Sequence, residues 1–141
     1  MTIGTQSVDR ENLISYNFAV LRVVPHVYTG AFDAVGVVVH ARTAEFLGLR
    51  VVTDSEELTR RAPDVDVGLL VRYLKSCQAI CEGDQGGGPI ALAPQSERFH
   101  WLTAPRSDVI QCGPVHEGLC VDPATTLDEL FASIVATGPE S

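Results

Sequence analysis

Residues 14–24, ISYNFAVLRVV, decide the fold of this chain. Aromatic and β-branched side chains recur at every second position through Tyr16, Phe18 and Val20, a pattern typical of a β-strand. Both faces of the segment are largely apolar, which predicts a central strand that is covered on both sides. Pro25 has no N–H group to donate to a neighbouring strand, so we expect the strand to end there.

Two further strands are predicted directly after this one. Residues 35–41, VGVVVHA, and residues 45–53, EFLGLRVVT, are both rich in β-branched and apolar side chains. Gly36 inside the second strand indicates a bulge or a close backbone approach. The connections are too short to contain crossover helices, and residues 42–44 are enough only for a hairpin turn. The three strands are therefore expected to form an antiparallel meander.

The pattern changes to a helical one at Asp54. Asp54 and Glu57 have the spacing of a capping box, in which the Asp side chain accepts from the N–H group of Glu57 and Glu57 reaches back to residue 54. A short helix is expected to follow and to end near Pro63. A longer helix, capped by Asp64 or Asp66, is predicted after it.

Apolar residues at three- and four-residue spacing define the face that this longer helix turns toward the sheet. They are Leu69, Leu70, Tyr73, Leu74, Cys77, Ile80 and Cys81. Gly83 is placed to end the helix in a left-handed conformation. A last helix is predicted with Asp122 as its N-cap and Pro123 at its first position.

The region between the long helix and the last helix is predicted to contain a loop and a second hairpin. Residues 84–95, DQGGGPIALAPQ, combine three consecutive glycines with two prolines and are expected to be a flexible loop. Alternation through residues 99–103 and β-prone residues 109–112 predict a hairpin. The fold class is therefore α+β, with an antiparallel sheet of four to five strands on which the long central helix and the C-terminal helix pack. Residues 1–13 are expected to be a flexible tail, and residues 14–137 one domain.

Composition excludes several classes of function. The 141 residues carry a formal net charge of −8, and the basic residues are scattered, so there is no basic stripe to bind nucleic acid. The same charge disfavours anionic lipid, and no run of about 20 apolar residues is present to span a membrane. Four irregularly spaced cysteines do not form a disulfide framework, which fits a reducing compartment. We therefore expect a cytoplasmic protein.

The candidate site lies within residues 98–123, RFHWLTAPRSDVIQCGPVHEGLCVDP. A planar guanidinium beside a hydroxyl suits a carboxylate or phosphate, and an indole offers a stacking face. The binding residues predicted on this basis are Arg98, Trp101, Arg106, Ser107, Gln111 and His116. The alternative is structural, with Arg98 or Arg106 pairing a nearby carboxylate and pinning the hairpin to the last helix.

Two chemical alternatives use residues of the same region. In an enzyme acting on a small phosphorylated or carboxylated substrate, His116 would be the acid or base, with Arg106 as anion clamp and Ser107 as a catalytic candidate. A structural zinc site would use residues at four-residue spacing. These are Cys77, Cys81, Cys112, His116 and Cys120. The glycines at 86–88 are not followed by Lys-Ser or Lys-Thr as in a phosphate-binding loop, and no cofactor is expected.

The order of YNFAVLRVVPHV, FDAVGVVVHA, FLGLRVV and the segment RFHWLTAPRSDVIQCGPVHEGLCVDP, followed by LDELF, resembles a bacterial family of small proteins, domain of unknown function 3037. The resemblance runs from Tyr16 to Val135 and is strongest over residues 98–123. It implies a stand-alone cytoplasmic protein with no activity to carry over, and it suggests a kinase resembling the HipA toxin kinase as a partner. The cysteines do not belong to the family pattern.

Sequence and resemblance together favour a non-enzymatic accessory or binding protein. It would engage a protein partner or a small anion through the surface formed by residues 98–116. The absence of any catalytic signature and the net negative charge motivate this expectation.

Overall fold

Five antiparallel strands form one sheet, and α-helices pack on both of its faces. The structure, a computed structural model, describes residues 12–23, 33–63, 65–104 and 110–136. The strands are β1 Ile14–Val23, β2 Asp33–Ala41, β3 Phe46–Val51, β4 Ile110–Cys112 and β5 His116–Cys120. The helices are α1 Ser55–Arg61, α2 Val67–Glu82, α3 Gln95–Thr103 and α4 Pro123–Leu130, and α4 continues as π-helical turns over Phe131–Ala136. None of the helices in these segments has the length and apolar character to cross a bilayer.

The sheet confirms the predicted antiparallel α+β architecture. β1 lies between β2 and a strand in two pieces, because β4 pairs with its C-terminal end and β5 with its N-terminal half. The register passes from Leu21 opposite Cys112 to Phe18 opposite His116, so one extra residue is accommodated around residues 113–115. Such a bulge reverses which side of the sheet the following residues face.

Pairing register and packing assign the two faces. Leu21, Gly36 and Val51 share the first face, where a Cβ added to Gly36 would lie 2.8 Å from Val51 Cγ1. Helices α2 and α3 cover this face. Phe18 and Gly48 share the second face, where α4 packs on β2 and β3 through Leu127. Strand β2 is buried along almost its whole length because helices cover it on both sides.

The predicted hairpin of residues 99–103 with residues 109–112 is wrong. Residues 95–103 form α3, and Phe99 and Leu102 are its buried positions. Their three-residue spacing fits one face of a helix as well as Phe99 and Trp101 fit alternation in a strand. Strand β4 pairs with β1 instead.

Helix ends follow the predictions except at two N-caps, of which one is Asp122, whose side chain stands before α4 without accepting from a backbone N–H group. Asp66 caps α2 by accepting from the N–H groups of Gly68 and Leu69, and Gly83 ends it with φ of 74°. At α1 the Asp54 carboxylate accepts from the N–H group of Glu56 at 3.1 Å, and not from that of Glu57. The Glu57 carboxylate binds the Arg61 guanidinium at 2.7 Å, so the predicted reciprocal capping box is not formed.

The glycine segment is packed and not the flexible loop that was predicted. Residues 85–87 and 89–92 form short 3₁₀ turns against the end of α2. A Cβ added to Gly87 would lie 2.9 Å from the backbone nitrogen of Ile80, whereas at Gly86 the nearest atom would be 3.7 Å away. Contact with backbone cannot be relieved by rotating a side chain.

We therefore expect Gly87→Ala to lower the free energy of unfolding by about 1–2 kcal/mol, since the turn must move away from α2. Gly86→Ala is the matched control. It should be neutral or slightly stabilising, because alanine restricts the unfolded chain. Urea denaturation followed by circular dichroism measures both, and equal effects would show that the turn does not pack on α2.

Candidate functional site

The part of the second face that α4 leaves uncovered contains the His116 side chain. His116 lies opposite Phe18 across β1 and β5, and the two rings are 5.1 Å apart. Tyr16 stacks beside Phe18 at 6.1 Å and lies over Gly118, where a Cβ would be 2.7 Å from the Tyr16 ring. The absence of a side chain at Gly118 therefore lets this aromatic row lie flat on the sheet.

Gln111 continues the same face on β4. It lies opposite Arg22 in the register, and the Arg22 guanidinium lies over Gly113, whose added Cβ would be 3.0 Å from Cζ. Gln111 and His116 are both exposed. Two of the predicted site residues are thus presented together on one open face.

Arg98 has a different role from the predicted one. Its guanidinium donates to the carbonyl oxygens of Ile80 and Cys81 at 3.2 and 2.9 Å and to that of Ala93 at 2.9 Å. The last carbonyls of a helix have no intrahelical donor, and a cationic donor there also interacts favourably with the helix dipole. Arg98 therefore caps α2 and joins it to α3. The predicted pairing of Arg98 with a neighbouring carboxylate is not formed within the described residues.

The sheet separates the predicted site residues into two groups. Trp101 and Arg98 lie on α3, which packs on the first face, where the Phe99 ring is 5.1 Å from that of His40. Gln111 and His116 lie on the second face. Residues 98–116 therefore do not form one surface within the described chain, because a helix replaces the predicted strand. Arg106 and Ser107 lie outside the described residues.

The five residues of the zinc alternative are not brought together. Cys77 and Cys81 are buried on α2, on the first face, and Cys112 shares this face with Leu21. The bulge places His116 and Cys120 on the second face, although spacing of four would keep all three on one side of a regular strand. Among the described residues there is no group of three or more His, Cys, Asp or Glu side chains able to hold a metal ion.

Burial also keeps Cys81 and Cys112 in the thiol form. It raises the pKa of Cys81 to about 12 and that of Cys112 to about 11. A nucleophilic cysteine needs a lowered pKa and access to substrate. Cys112 also faces away from His116, so the two cannot act as nucleophile and base.

The apolar edge of β5 is a feature that the sequence did not predict. β5 pairs with β1 on one side, and no described strand pairs with its other side. Large apolar side chains along and beside β5 are exposed, including Leu119 at 64% and Val121 at 60%. The signal in the sequence is the alternation of Val115, Leu119 and Val121 with smaller or polar residues.

A cleft lies between this strand and α4. Its volume is about 720 Å³, and its lining includes the apolar Leu119 and Val121 and the acidic Asp122 and Glu129. Asp122 accepts a hydrogen bond from Thr125 at 2.7 Å. Within the described residues no Lys or Arg forms an ion pair with Asp122, Glu129 or the exposed Glu117. The lining of the cleft therefore combines apolar and acidic side chains.

Comparison with known proteins places this architecture in a family. The family model described as "Protein of unknown function (DUF3037)" matches residues 18–135. Neither the curated proteins nor the solved structures gave a match. The matched range contains α1 to α4 and all five strands, apart from the first four residues of β1.

Proposed function

Since the chain belongs to the DUF3037 family, whose description names no activity, we propose from its geometry that it is a binding protein that takes up an extended segment of a protein partner along β5. The observation that carries this proposal is the apolar, unpaired edge of β5 in the described part of the sheet. Unpaired strand edges present N–H and C=O groups to another chain, and added strands are a common mode of peptide recognition.

The side chains around the edge support one kind of partner segment. Leu119 and Val121 offer apolar contact, and Glu117, Asp122 and Glu129 add negative charge beside it. The whole chain has a formal charge of −8, which attracts basic partners over a longer range. The segment is therefore expected to be extended, with apolar and basic residues in alternation. Gln111 and His116 lie on the adjoining open face and extend this contact surface.

The expected partner is a protein of the bacterial cytoplasm. One candidate is a kinase resembling HipA, which the family resemblance implies. The alternative of an enzyme has less support. His116 contacts the Phe18 ring, and no described hydroxyl or carboxylate hydrogen-bonds to its imidazole. A general acid or base normally needs a group that orients it.

The test is fluorescence anisotropy with a labelled eight-residue peptide that alternates valine and lysine. We expect Leu119→Lys to weaken peptide binding by about tenfold or more, because it removes an apolar contact and introduces like charge. Leu92→Lys is the matched control, since Leu92 is 72% exposed and its replacement changes the net charge equally. Leu92 lies in a turn beside α2, away from β5.

Two results would overturn the proposal. One is an equal loss of affinity in Leu119→Lys and Leu92→Lys, which would mean that the peptide responds only to net charge. The other is equal binding of a peptide that alternates valine and glutamate. In both cases the β5 edge would not be a selective site.

A further inference from the structure

A second cavity lies on the first face of the sheet, where β3, α1 and α2 meet. Its volume is about 210 Å³. The side chains that line it are Val51, Val52, Thr53, Leu58, Val71, Leu74, Lys75 and Gln78. Among the described strands β3 is at the opposite edge of the sheet from β5, so the cavity is independent of the proposed peptide site.

The lining of this cavity belongs to elements whose backbone is held in place. β3 ends at Val51, and the N–H group of Val52 donates to the carbonyl oxygen of Val35 on β2 at 2.9 Å. The chain then reaches Asp54, whose carboxylate caps α1. Leu58 follows on α1, and the remaining lining residues are on α2. Because hydrogen bonds fix these elements, the cavity is preformed, as most small-molecule pockets are.

Valine and leucine supply five of the eight lining side chains, so the cavity is mainly apolar. Leu58 and Leu74 are 1% and 2% exposed, and they belong to the core. Protein cores are close-packed and contain few voids larger than a water molecule, so a space of this size beside the core is unusual. An apolar cavity of about 150 Å³ is large enough to hold benzene, so a molecule of about six carbon atoms fits here.

Lys75 gives the cavity a positive charge. It is the only lysine of the sequence, it is exposed, and it forms no ion pair within the described residues. The described lining contains no Asp or Glu, although the chain has 18 acidic and 10 basic residues. A lysine packs its alkyl stem along apolar surface and keeps its ammonium group in water. An anion with an apolar tail therefore matches both parts of this side chain.

We propose that this cavity binds a small monocarboxylic acid of about six carbon atoms. The apolar tail contacts the valine and leucine side chains, and the carboxylate pairs with the Lys75 ammonium, with the Thr53 hydroxyl as a second donor. A phosphate monoester carries about two negative charges, which a single lysine does not balance on a chain of net charge −8. A neutral or cationic molecule of the same shape gains nothing from the charge of Lys75.

Hexanoate, hexanol and hexylamine are the probes, because they share one chain length and differ in charge. They are titrated at pH 7.5 into the full chain with ¹³C-labelled methyl groups and followed by NMR. We expect hexanoate to shift the methyl signals of Val71 and Leu74 and to bind about tenfold more tightly than hexylamine, the equivalent of one charge-assisted contact. Equal affinities of hexanoate and hexylamine, or hexanoate shifts confined to other segments, would contradict the site.

Lys75→Met tests the carboxylate contact separately from the tail. Methionine keeps an apolar lining and removes the charge, so hexanoate affinity should fall by about tenfold and hexanol affinity should change by less than about twofold. Arg72→Met is the matched control, because Arg72 is an exposed cation of α2 that does not line the cavity, and its replacement changes the net charge equally. Equal weakening of hexanoate binding in both variants would show a response to net charge alone and overturn the proposal.

The single lysine also provides a direct measurement on the unmodified sequence. Selective ¹³C labelling of lysine gives one ε-carbon signal, which comes from Lys75. Hexanoate should shift this signal more than hexanol does, because only the carboxylate pairs with the ammonium group. An ε-carbon signal that responds equally to both, or to neither at saturation, would show that the acid does not pair with Lys75.

Discussion

Arg61→Met is expected to lower the free energy of unfolding by about 3–5 kcal/mol, the largest effect of any single substitution considered for this protein. The Arg61 side chain is 7% exposed and its guanidinium has four partners. Nε donates to Glu57 at 2.7 Å, Nη1 to Ala34 O at 2.8 Å and Asp33 Oδ1 at 3.3 Å, and Nη2 to Val135 O at 2.8 Å. One side chain thereby joins α1, the start of β2 and the C-terminal π-helical turns.

The size of this effect comes from the groups left behind. Removal of one partner of a buried ion pair leaves the other charge and the bound carbonyls without compensation. Two opposing effects act on the pKa of Asp33, because burial raises it and the Arg61 charge lowers it. Without Arg61, the effect of burial would be opposed less, and the pKa of Asp33 would rise further.

Arg60→Met is a stringent control because it changes the adjacent residue of the same helix. Arg60 also pairs with Glu57, but its side chain is 61% exposed, and an exposed ion pair contributes only about 0–1 kcal/mol. Thermal and urea unfolding of both variants measure the difference. Similar losses for Arg60→Met and Arg61→Met would show that Arg61 is not the buried connection between these elements.

Arg98→Met is expected to cost about 3 kcal/mol in unfolding free energy, the upper end for hydrogen bonds from a charged donor. Three backbone carbonyls, two of them at the end of α2, lose their donor in this variant. Methionine keeps much of the aliphatic contact, so the loss reports mainly on the guanidinium. Arg72→Met, at an exposed position of α2, should change stability by less than about 0.5 kcal/mol.

Arg98→Met also separates a structural role from a binding role. At a temperature where the variant is folded, the valine and lysine peptide should bind it as tightly as it binds the native protein. Unchanged stability together with weaker peptide binding would show that Arg98 is a binding residue, as the sequence predicted, and not a structural one.

Local patterns predicted most of the secondary structure. The period of two in residues 14–24, the β-branched run at 35–41 and the caps Asp66 and Gly83 all correspond to observed elements. These signals work because strand period, capping and left-handed glycine act within a few residues. The prediction of a hairpin at residues 99–103 was wrong because the local pattern is ambiguous there. An apolar alternation over five residues does not distinguish a strand from one face of a short helix.

The candidate site depended on distances that local patterns do not specify. The sequence placed Arg98, Trp101, Gln111 and His116 in one segment, but α3 carries the first two to the face opposite the others. A single-residue bulge around residues 113–115 likewise separates Cys112 from His116 and Cys120. A shift of one residue in register moves every later side chain to the other face.

The sequence by itself determined the α+β class, the meander of β1, β2 and β3, the acidic charge and the family, since each depends on composition, period or an ordered series of motifs. Tertiary structure alone decided which groups meet: Arg61 with Val135, Arg98 with the end of α2, and His40 with the start of α3. The physical reason is that hydrogen-bond partners of buried groups are selected by packing between elements distant in the chain, and no local pattern encodes that packing.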